Sequence, residues 1–421
     1  MKQAFRILAA LSLLLSYCGM ADAASPSGSL TVTVLPADVN SVNNILLGIE
    51  TGCPQSGPPP LGSNTNCSPD NGGQYETPRL SSQIGRYPDF SGAFTSSGPC
   101  VPAGSQTICG ARGGIDANAG YPWQGNFGTL DNWNQPAGTY GVYIYGCGTT
   151  GGNNDYLSNW AKAAANDPGW VAAVDSALKA DFLPYINNLY YIRVNWEWEG
   201  TWFCWSPWGY GQPGLVQPGQ PNNVDNPSIS AATWSAGTLN TINEIRKILP
   251  GVKVCIEGPQ NAPEQAYIDP IISAVDCLTF DEYFNQNIGL TSAAAWTGAG
   301  GDGTIPFCQS NPITSCVSLP FIADYAHATG KPIVVNEWCD QFNDGYITPR
   351  FINWMIANNV VAQSYWDSDN GVNPSLPAGC HLASNANTLA AYRAAFSGTA
   401  YAGTYWKHQP VPPAVSDTIG Y

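Results

Sequence analysis

The chain has 421 residues, with 30 acidic against 15 basic side chains and a formal net charge of −15 at pH 7. That negative field repels nucleic acid and anionic membrane surfaces, so we expect neither as a partner. Only 11% of the residues are charged, whereas 15 are Trp, 21 Tyr, 45 Gly and 34 Pro. Loops and aromatic packing are therefore expected to dominate over salt-bridged helices.

Residues 1–24 have the pattern of an export signal. Lys2 and Arg6 precede the apolar run ILAALSLLLSY, and a small-x-small cleavage site follows at Ala21 to Ala23. The apolar run is too short for a permanent anchor, and no other segment reaches the ~18 apolar residues that a membrane helix needs. We expect a secreted protein without a membrane span, either extracellular or periplasmic. A lipid anchor on Cys18 is the alternative.

Cysteine usage agrees with export. All of the 13 cysteines except Cys18 lie beyond the signal, and an even number in an oxidising compartment predicts disulfides. Close spacing suggests three local loops, closed by the pairs Cys53–Cys67, Cys100–Cys109 and Cys308–Cys316. Zinc is the competing interpretation, but the chain has three His and no Cys-x-x-Cys pair. We therefore expect no metal and no cofactor.

The first part of the chain combines short strands with long loops. Ile45 to Ile49 is predicted to be a buried strand, and a Gly/Pro/Asn-rich loop runs from Pro54 to Gln74. Residues 102–135 show little periodicity and are expected to form a surface loop. Gly138 to Gly148 is predicted to be the next strand.

From residue 155 to 396, helical periodicity alternates with strands. The predicted helices lie within 155–188 and 228–249 and in IDPIISAV, LPFIADYAHATG, TPRFINWMIANN and TLAAYRAAFSG. The strands that follow them are 190–199, VKVCIEGPQ, DCLTFDEYF, KPIVVNEWCDQ and VVAQSYWDSD. Short helix-to-strand joints and long strand-to-helix loops, including 285–318, are typical of parallel βαβ units. The sequence predicts an α/β fold, a (β/α)₈ TIM barrel with long, disulfide-stapled βα loops over residues 25–400, followed by a tail at 401–421.

The stretch YYIRVNWEWEGTWFCWSPWGY, from Tyr190 to Tyr210, is the most unusual in the chain. Strand alternation would put Arg193, Asn195, Glu197 and Glu199 on one side, and Trp196 and Trp198 on the other. A purely structural role would pair Arg193 with Glu197 or Glu199. The turn after it carries Trp202, Phe203, Trp205 and Trp208. Such aromatic faces suit sugar rings, although core packing is the alternative.

Acidic side chains end several predicted strands: Glu197, Glu199, Glu257, Asp281, Glu282, Glu337, Asp367 and Asp369. In a barrel these ends meet at the functional face. Two carboxyl groups ~5 Å apart across a sugar-binding cleft would support retaining glycoside hydrolysis, and Glu197 with Glu337 is the pair that we favour. Other chemistries fit less well, because the chain has no Gly-x-Ser-x-Gly elbow and GCGTTGG lacks the Lys of a phosphate loop.

These residues resemble glycoside hydrolase family 26, a clan A family of retaining (β/α)₈ enzymes. The family's acid/base strand reads Arg-x-x-His-Glu-x-x-Gly-x-Trp-Phe-x-Trp, and the run from Arg193 to Trp205 shares six of these residues in spacing: Arg, Glu, Gly, Trp, Phe and the final Trp. The resemblance implies that Glu197 is the acid/base. The family's His is replaced here by Trp196, which exchanges a hydrogen bond to the sugar for a hydrophobic surface.

The resemblance extends to later strands. KPIVVNEW is similar to the family's nucleophile strand, which implies that Glu337 is the nucleophile. VDCLTFDEY is similar to its Val-Asp-x-(apolar)-x-x-Asp-x-Tyr strand, which implies that Asp281 shapes the cleft and that Tyr283 hydrogen-bonds near the nucleophile. Trp366 matches the clan's tryptophan platform beneath the sugar.

The sequence therefore predicts a secreted, monomeric, retaining β-glycoside hydrolase that cleaves a mannan-, glucan- or xylan-type polysaccharide or oligosaccharide. Glu197 and Glu337 would be catalytic. Substrate would be bound by Arg193, Asn195, Trp196, Trp202, Trp205, Asp281, Tyr283 and Trp366. One alternative is a non-catalytic polysaccharide-binding protein on the same barrel, which carboxyl groups more than ~10 Å apart would favour. The other is an exported structural or adhesion protein.

Overall fold

The computed structural model describes residues 41–51, 82–86, 88–90, 101–103, 106–108, 137–142, 160–183, 186, 189–199, 206–207, 229–284, 291–303, 318–367, 380, 382 and 385–406. Several predictions fall outside these ranges. They concern the export signal, the loop tryptophans Trp202, Trp205 and Trp208, and the three cysteine pairs inferred from close spacing.

The described strands are β1 Leu46–Thr51, β2 Val101–Ala103, β3 Gln106–Ile108, β4 Ala137–Val142, β5 Leu189–Val194, β6 Lys253–Glu257, β7 Cys277–Phe284, β8 Ile333–Asp340 and β9 Val360–Asp367. The described α-helices are α1 Pro168–Asp181, α2 Ala231–Ile248, α3 Ala262–Ile268, α4 Ser292–Gly298, α5 Leu319–Thr329, α6 Ile347–Ala357 and α7 Ala386–Phe396. None of the helices in this part of the chain combines the length and the apolar character that crossing a membrane requires.

Seven of the described strands form one parallel sheet in the order β1-β9-β8-β7-β6-β5-β4. Strands consecutive in the chain are neighbours from β4 to β9, and β9 then pairs with β1, so the sheet curls round on itself. A parallel bridge between Gly48 and Phe90 adds a partner on the other edge of β1. The prediction of parallel βαβ units is confirmed over these strands, and every carboxyl end of the sheet faces the same way.

Local sequence signals account for helix limits. Ser230 accepts a hydrogen bond from the backbone N–H of Thr233 at the start of α2, a side-chain N-cap. Helix α5 ends at Gly330, whose φ of +67° is the left-handed conformation that favours glycine. Asn261 caps α3 by accepting the N–H of Glu264 at 3.0 Å.

Three local predictions were wrong. The expected loop at 102–135 contains part of the antiparallel hairpin β2–β3, and the expected loop at 285–318 contains helix α4. The helix expected in IDPIISAV is displaced toward the N-terminus, where it forms α3, and only a short 3₁₀ turn at Ile272–Ala274 remains. The reason is local, because the Asn261 cap starts α3 early and Pro270, which has no backbone N–H, cannot continue the helical hydrogen bonds beyond the C-cap residue Asp269.

The sheet has two apolar sides. The side packed against the helices holds most of the core, including Trp160, Trp198, Trp234 and Trp338, all fully buried. The interior of the curl is filled at the amino ends of the strands by Leu46, Phe90, Tyr190, Tyr191, Cys255, Cys277, Val334, Val361, Ala362 and Trp406. Cys255 and Cys277 are register neighbours on β6 and β7 and form a disulfide there.

Trp406 shows that the predicted tail begins too early. Its side chain is 3% exposed, packs against Tyr190 and Tyr191, and donates from Nε1 to the carbonyl of Val361 at 2.8 Å. Residues 401–406 therefore belong to the folded unit, because aromatic side chains from this segment fill the amino end of the curled sheet.

Candidate active site

Arg193, at the end of β5, gathers carboxylates from the neighbouring strands. Its Nη1 donates to both carboxylate oxygens of Asp281, each at 3.0 Å, and its Nη2 donates to Oε2 of Glu257 at 2.7 Å. The Arg193 side chain is fully buried. Such charge-assisted, bidentate pairing holds the ends of β5, β6 and β7 in one arrangement.

A β-bulge in β8 brings Glu337 to the same place. Ile333 and Val335 pack on the helix side of the sheet, so regular alternation would send Glu337 to that side as well. The register with β7 instead passes from Phe280↔Val335 to Asp281↔Glu337, which inserts Asn336 as an extra residue. The extra residue reverses the alternation, and Glu337 enters the interior beside Asp281.

The predicted strand 190–199 ends early, at Val194. Asn195 and Glu197 both adopt left-handed backbone conformations, with φ of +54° and +48°. The chain therefore leaves the sheet in a tight turn, and the predicted alternation of side chains over 195–199 is wrong. Trp196, expected on the opposite side from Arg193, donates from Nε1 to Oδ2 of Asp281 at 2.9 Å and so shares its partner.

This turn brings the two predicted catalytic residues together. Oxygen atoms of Glu197, Asp281 and Glu337 all lie within 4.8 Å of one another. Glu337 is 1% exposed, accepts a hydrogen bond from the Tyr283 hydroxyl, and lies 3.8 Å from Nη1 of Arg193. Glu197 retains partial exposure.

Trp366, at the end of β9, lines the same region. Its indole meets the ring of Tyr283 edge-on, with centroids 6.4 Å apart, and it is 7% exposed. The hydroxyl of that tyrosine in turn contacts Glu337. Asp281, Tyr283 and Trp366 thus lie together with the two glutamates.

Burial controls protonation in this cluster. It raises the pKa of Glu257 to about 7 even though Arg193 opposes the shift. Burial also raises the pKa of Asp281, against the effects of Arg193 and of hydrogen bonds from Trp196 and Glu197. Because a hydrogen bond between two carboxyl groups needs a proton on one of them, Glu197 is the donor when Asp281 is ionised.

Tyr283 and Glu199 also respond to this environment. Burial raises the pKa of the Tyr283 hydroxyl well above its usual value, and the negative charge of Glu337 adds to the shift, so Tyr283 remains a hydrogen-bond donor. Burial likewise raises the pKa of Glu199 well above its usual range, and the negative charges of Glu257 and Glu197 act in the same direction. Among the residues that the structure describes, carboxyl groups therefore outnumber arginine in this cluster.

Two predicted sugar contacts need correction. Arg193 has no exposed surface, so its side chain supports carboxylates and does not present itself to a ligand. Asn195 is 1% exposed and donates from Nδ2 to Oγ1 of Thr238 at 2.9 Å, on helix α2 behind the sheet. The left-handed turn explains the second case, because it rotates Asn195 away from the direction that an extended strand would give it.

Glu257 is the site residue that sequence reasoning missed. Its position after a buried strand was visible, and so was its acidic side chain, but nothing in the sequence connected it with Glu197. In the structure, Oε2 of Glu257 accepts the backbone N–H of Glu197 at 2.5 Å as well as the Arg193 guanidinium.

The three clustered carboxylates have the spacing of metal ligands. However, the Arg193 guanidinium lies 3.0 Å from Asp281 and 3.8 Å from Glu337, so positive charge is already present among them. A second cation at that position would be repelled by the first. The arrangement therefore fits acid–base and nucleophilic chemistry by carboxyl groups better than metal binding.

Comparison with solved structures finds glycoside hydrolases. A family 26 endo-β-1,4-mannanase of Cellulomonas fimi is 13% identical, with a TM-score of 0.49 over 90% of this chain and 77% of that one. A family 26 β-mannanase of Bacteroides ovatus is 11% identical, with a TM-score of 0.44 over 78% of this chain and 83% of that one. Endoglycoceramidase II of Rhodococcus sp. is 13% identical, with a TM-score of 0.43 over 82% and 78% of the two chains.

No family model matches the sequence, and no curated protein matches it. The resemblance to family 26 that the sequence indicated thus recurs among solved structures. At these identities and TM-scores the likenesses assign neither a family nor an activity to this chain. The function is inferred from the geometry of the site.

Proposed function

We propose that the protein is a retaining β-glycoside hydrolase in which Glu197 is the acid/base and Glu337 is the nucleophile. The observation that carries this proposal is the clustering of their carboxyl oxygens within 4.8 Å. Retaining enzymes hold their two carboxyl groups about 5–5.5 Å apart, whereas inverting enzymes need room for a water molecule between them. A protein that only binds polysaccharide has no need for such a pair.

The surroundings of Glu337 suit a nucleophile. The Tyr283 hydroxyl donates to its Oε2, and the Arg193 guanidinium lies 3.8 Å from its Oε1, so both neighbours favour the ionised carboxylate. The arginine does not sequester this carboxylate, because its hydrogen bonds go to Asp281 and Glu257. Ionised Glu337 would attack the anomeric carbon and form a glycosyl–enzyme ester as the leaving oxygen departs.

The surroundings of Glu197 suit an acid. It is partly exposed, and its hydrogen bond with Asp281 retains a proton on the pair. In the first step Glu197 would give this proton to the leaving oxygen. In the second step it would take a proton from the water that attacks the ester, because the same residue serves both half-reactions.

The excess of carboxyl groups over arginine suits the charge that develops on the sugar. An oxocarbenium-like transition state is positive, and preorganised negative groups stabilise it. The same field, with a chain charge of −15, disfavours acidic polysaccharides. The proposed substrate is therefore a neutral β-linked polysaccharide or oligosaccharide of the mannan, glucan or xylan type, with Trp366 and the exposed part of Trp196 lining its site.

The proposal includes a closed (β/α)₈ barrel and a secreted monomer. The Gly48–Phe90 bridge on the open edge of β1 supports an eighth strand position between β1 and β4. The disulfides Cys255–Cys277 and Cys339–Cys380 support an oxidising compartment, and the second joins the end of β8 to the loop after β9, as expected of a stapled βα loop.

The test begins with a reducing-end assay on purified mannans, xylans, mixed-linkage glucans and microbial exopolysaccharides. Nuclear magnetic resonance of the first-formed product should show the β anomer. Glu197→Ala should then lose about 10²- to 10⁴-fold in rate on the polysaccharide but keep most of its rate of bond cleavage on a 2,4-dinitrophenyl glycoside, whose leaving group needs no proton. An α product, or equal losses on both substrates, would contradict the assignment.

A further inference from the structure

We infer that Glu257 is a positioning residue that fixes the acid/base, because its carboxylate holds the backbone N–H of Glu197 and the Arg193 guanidinium at the same time. This inference rests on the proposed function, since it needs Glu197 to be the acid/base. Glu257 is 1% exposed, which leaves no surface to touch a sugar. Its effect on the reaction must therefore pass through Glu197.

The turn that carries Glu197 needs such support. Asn195 and Glu197 are non-glycine residues with positive φ, a conformation that persists only where surrounding contacts impose it. Relaxation of Glu197 toward extended backbone would swing its carboxyl group away from Glu337. The hydrogen bond of 2.5 Å from the backbone N–H of Glu197 to Oε2 of Glu257 restrains the peptide group that would have to rotate.

Neighbouring contacts hold other parts of the same turn. Asn195 is tied to Thr238, and Trp198 donates from Nε1 to the backbone carbonyl of Glu257 at 3.0 Å. Neither contact depends on the Glu257 side chain. Removal of that carboxylate should thus release the Glu197 peptide while the flanks of the turn stay attached to helix α2 and strand β6.

The charge of the Glu257 carboxylate matters as well as its position. An ionised acceptor makes a stronger hydrogen bond to a backbone N–H than a neutral one. Five charged or titratable groups in the described part of the chain face Glu257. Arg193 lies on β5, Glu197 and Glu199 lie in the turn that follows it, Asp281 lies on β7, and Glu264 lies on α3. Arg193 is the cation of this set, and it bridges Glu257 to Asp281.

The experiment compares Glu257→Gln and Glu257→Leu with Glu264→Gln. Glu264 is the matched control because it is also 1% exposed and also accepts a backbone N–H, that of Gln260, but it contacts neither Glu197 nor Arg193 in the described structure. The probes are the phenyl and the 2,4-dinitrophenyl β-glycosides of one disaccharide. Cellobiose, mannobiose and xylobiose are tried, and the disaccharide whose two glycosides the wild type cleaves is used. Thermal unfolding is recorded for each variant.

We expect Glu257→Gln to lower kcat/KM about 100-fold on the phenyl glycoside, because a small misplacement of the proton donor is costly, but less than about threefold on the dinitrophenyl glycoside. Glu257→Leu should lose more than Glu257→Gln on the phenyl glycoside, since the amide oxygen of Gln still accepts one hydrogen bond. Glu264→Gln should show no such dependence on the leaving group. The acidic limb of the kcat/KM pH profile should also shift in Glu257→Gln, and by less in Glu264→Gln, because the charge of Glu264 acts on Glu257 without a hydrogen bond to it.

Equal losses on both glycosides in Glu257→Gln, or the same pattern in Glu264→Gln, would overturn the inference, because either result indicates a general structural effect. Glu197→Ala separates this failure from that of the proposed function. If Glu197→Ala shows the dependence on the leaving group and Glu257→Gln does not, only the positioning role is wrong. If Glu197→Ala shows no dependence, the proposed catalytic assignment fails. Should Glu257→Leu not fold, Glu257→Gln still decides the matter.

Discussion

The two ends of the curled sheet are built from the same strands but differ in chemistry. At the amino ends, Tyr190, Tyr191 and Trp406 pack with other apolar groups around the Cys255–Cys277 disulfide. At the carboxyl ends, Arg193 is surrounded by carboxyl groups. Arg193 lies only two positions after Tyr191 on β5, so the change from packing to charge takes place within a single strand.

The difference shows where stability and chemistry are located. The amino end buries apolar surface, which favours folding. The carboxyl end contains left-handed backbone at Asn195 and Glu197, a bulge at Asn336 and buried acids whose pKa values burial raises. Each of these features costs free energy of folding, and such costs are usual at functional sites. Substitutions at the carboxyl end should therefore lower activity without lowering stability, and substitutions at the amino end should do the reverse.

The largest effect is expected at the carboxyl end. Glu337→Ala should reduce turnover by about 10⁴-fold or more, because the residue that would form the covalent intermediate is absent. Binding of oligosaccharide should persist, as measured by isothermal titration calorimetry, and the melting temperature should not fall. If Glu337→Ala kept wild-type turnover, the carboxyl end of the sheet would not be the place where the chemistry occurs.

A substitution at the amino end should act on stability alone. Trp406→Ala removes a large buried side chain and should cost about 3–5 kcal/mol of unfolding free energy, measured by chemical denaturation. The activity of the folded fraction should stay near that of the wild type. Leu183→Ala is the control, because Leu183 is 40% exposed and its truncation should change stability little. An unchanged Trp406→Ala variant would mean that residues 401–406 are a tail after all.

A smaller effect is expected at Glu282, beside the cluster on β7. Burial raises the pKa of Glu282 to about 8 from an ordinary 4.5, and its Oε2 has no hydrogen-bond partner among the described residues. Between pH 4.5 and 8 the folded protein therefore binds this proton more tightly than the unfolded chain does, so the contribution of Glu282 to stability falls as pH rises. Glu282→Gln removes that dependence.

The melting temperature of Glu282→Gln should therefore decline less than that of the wild type between pH 5 and pH 8, by about 2–4 °C in differential scanning calorimetry. Asp324→Asn is the matched control, since Asp324 is an exposed acid on α5. If the melting temperature of Glu282→Gln declined with pH as steeply as that of the wild type, burial of Glu282 would not lower the stability of the folded state as proposed.

Much of the molecule was predictable from the sequence. After residue 155 the spacing of apolar residues alternates between the helical and the strand period. This spacing reflects which face of each helix or strand is buried, and it can be read from a short stretch of sequence. Acids directly after apolar strands indicated a polar edge, and Glu197, Asp281, Tyr283, Glu337 and Trp366 do meet there. Glu337 was identified by position even though simple alternation would have sent it to the wrong side of β8.

Tertiary structure alone decided the geometry that the proposed chemistry needs. The bulge at Asn336 depends on the register of β8 with β7, and the left-handed turn at Glu197 depends on Glu257, which lies on another strand. Trp406 similarly joins the interior through contacts with β5 and β9, far away in the chain. Residue type and local period therefore determined which groups gather at the carboxyl edge. Their orientation required partners that only folding brings near, because backbone strain and buried charge persist only where distant residues compensate them.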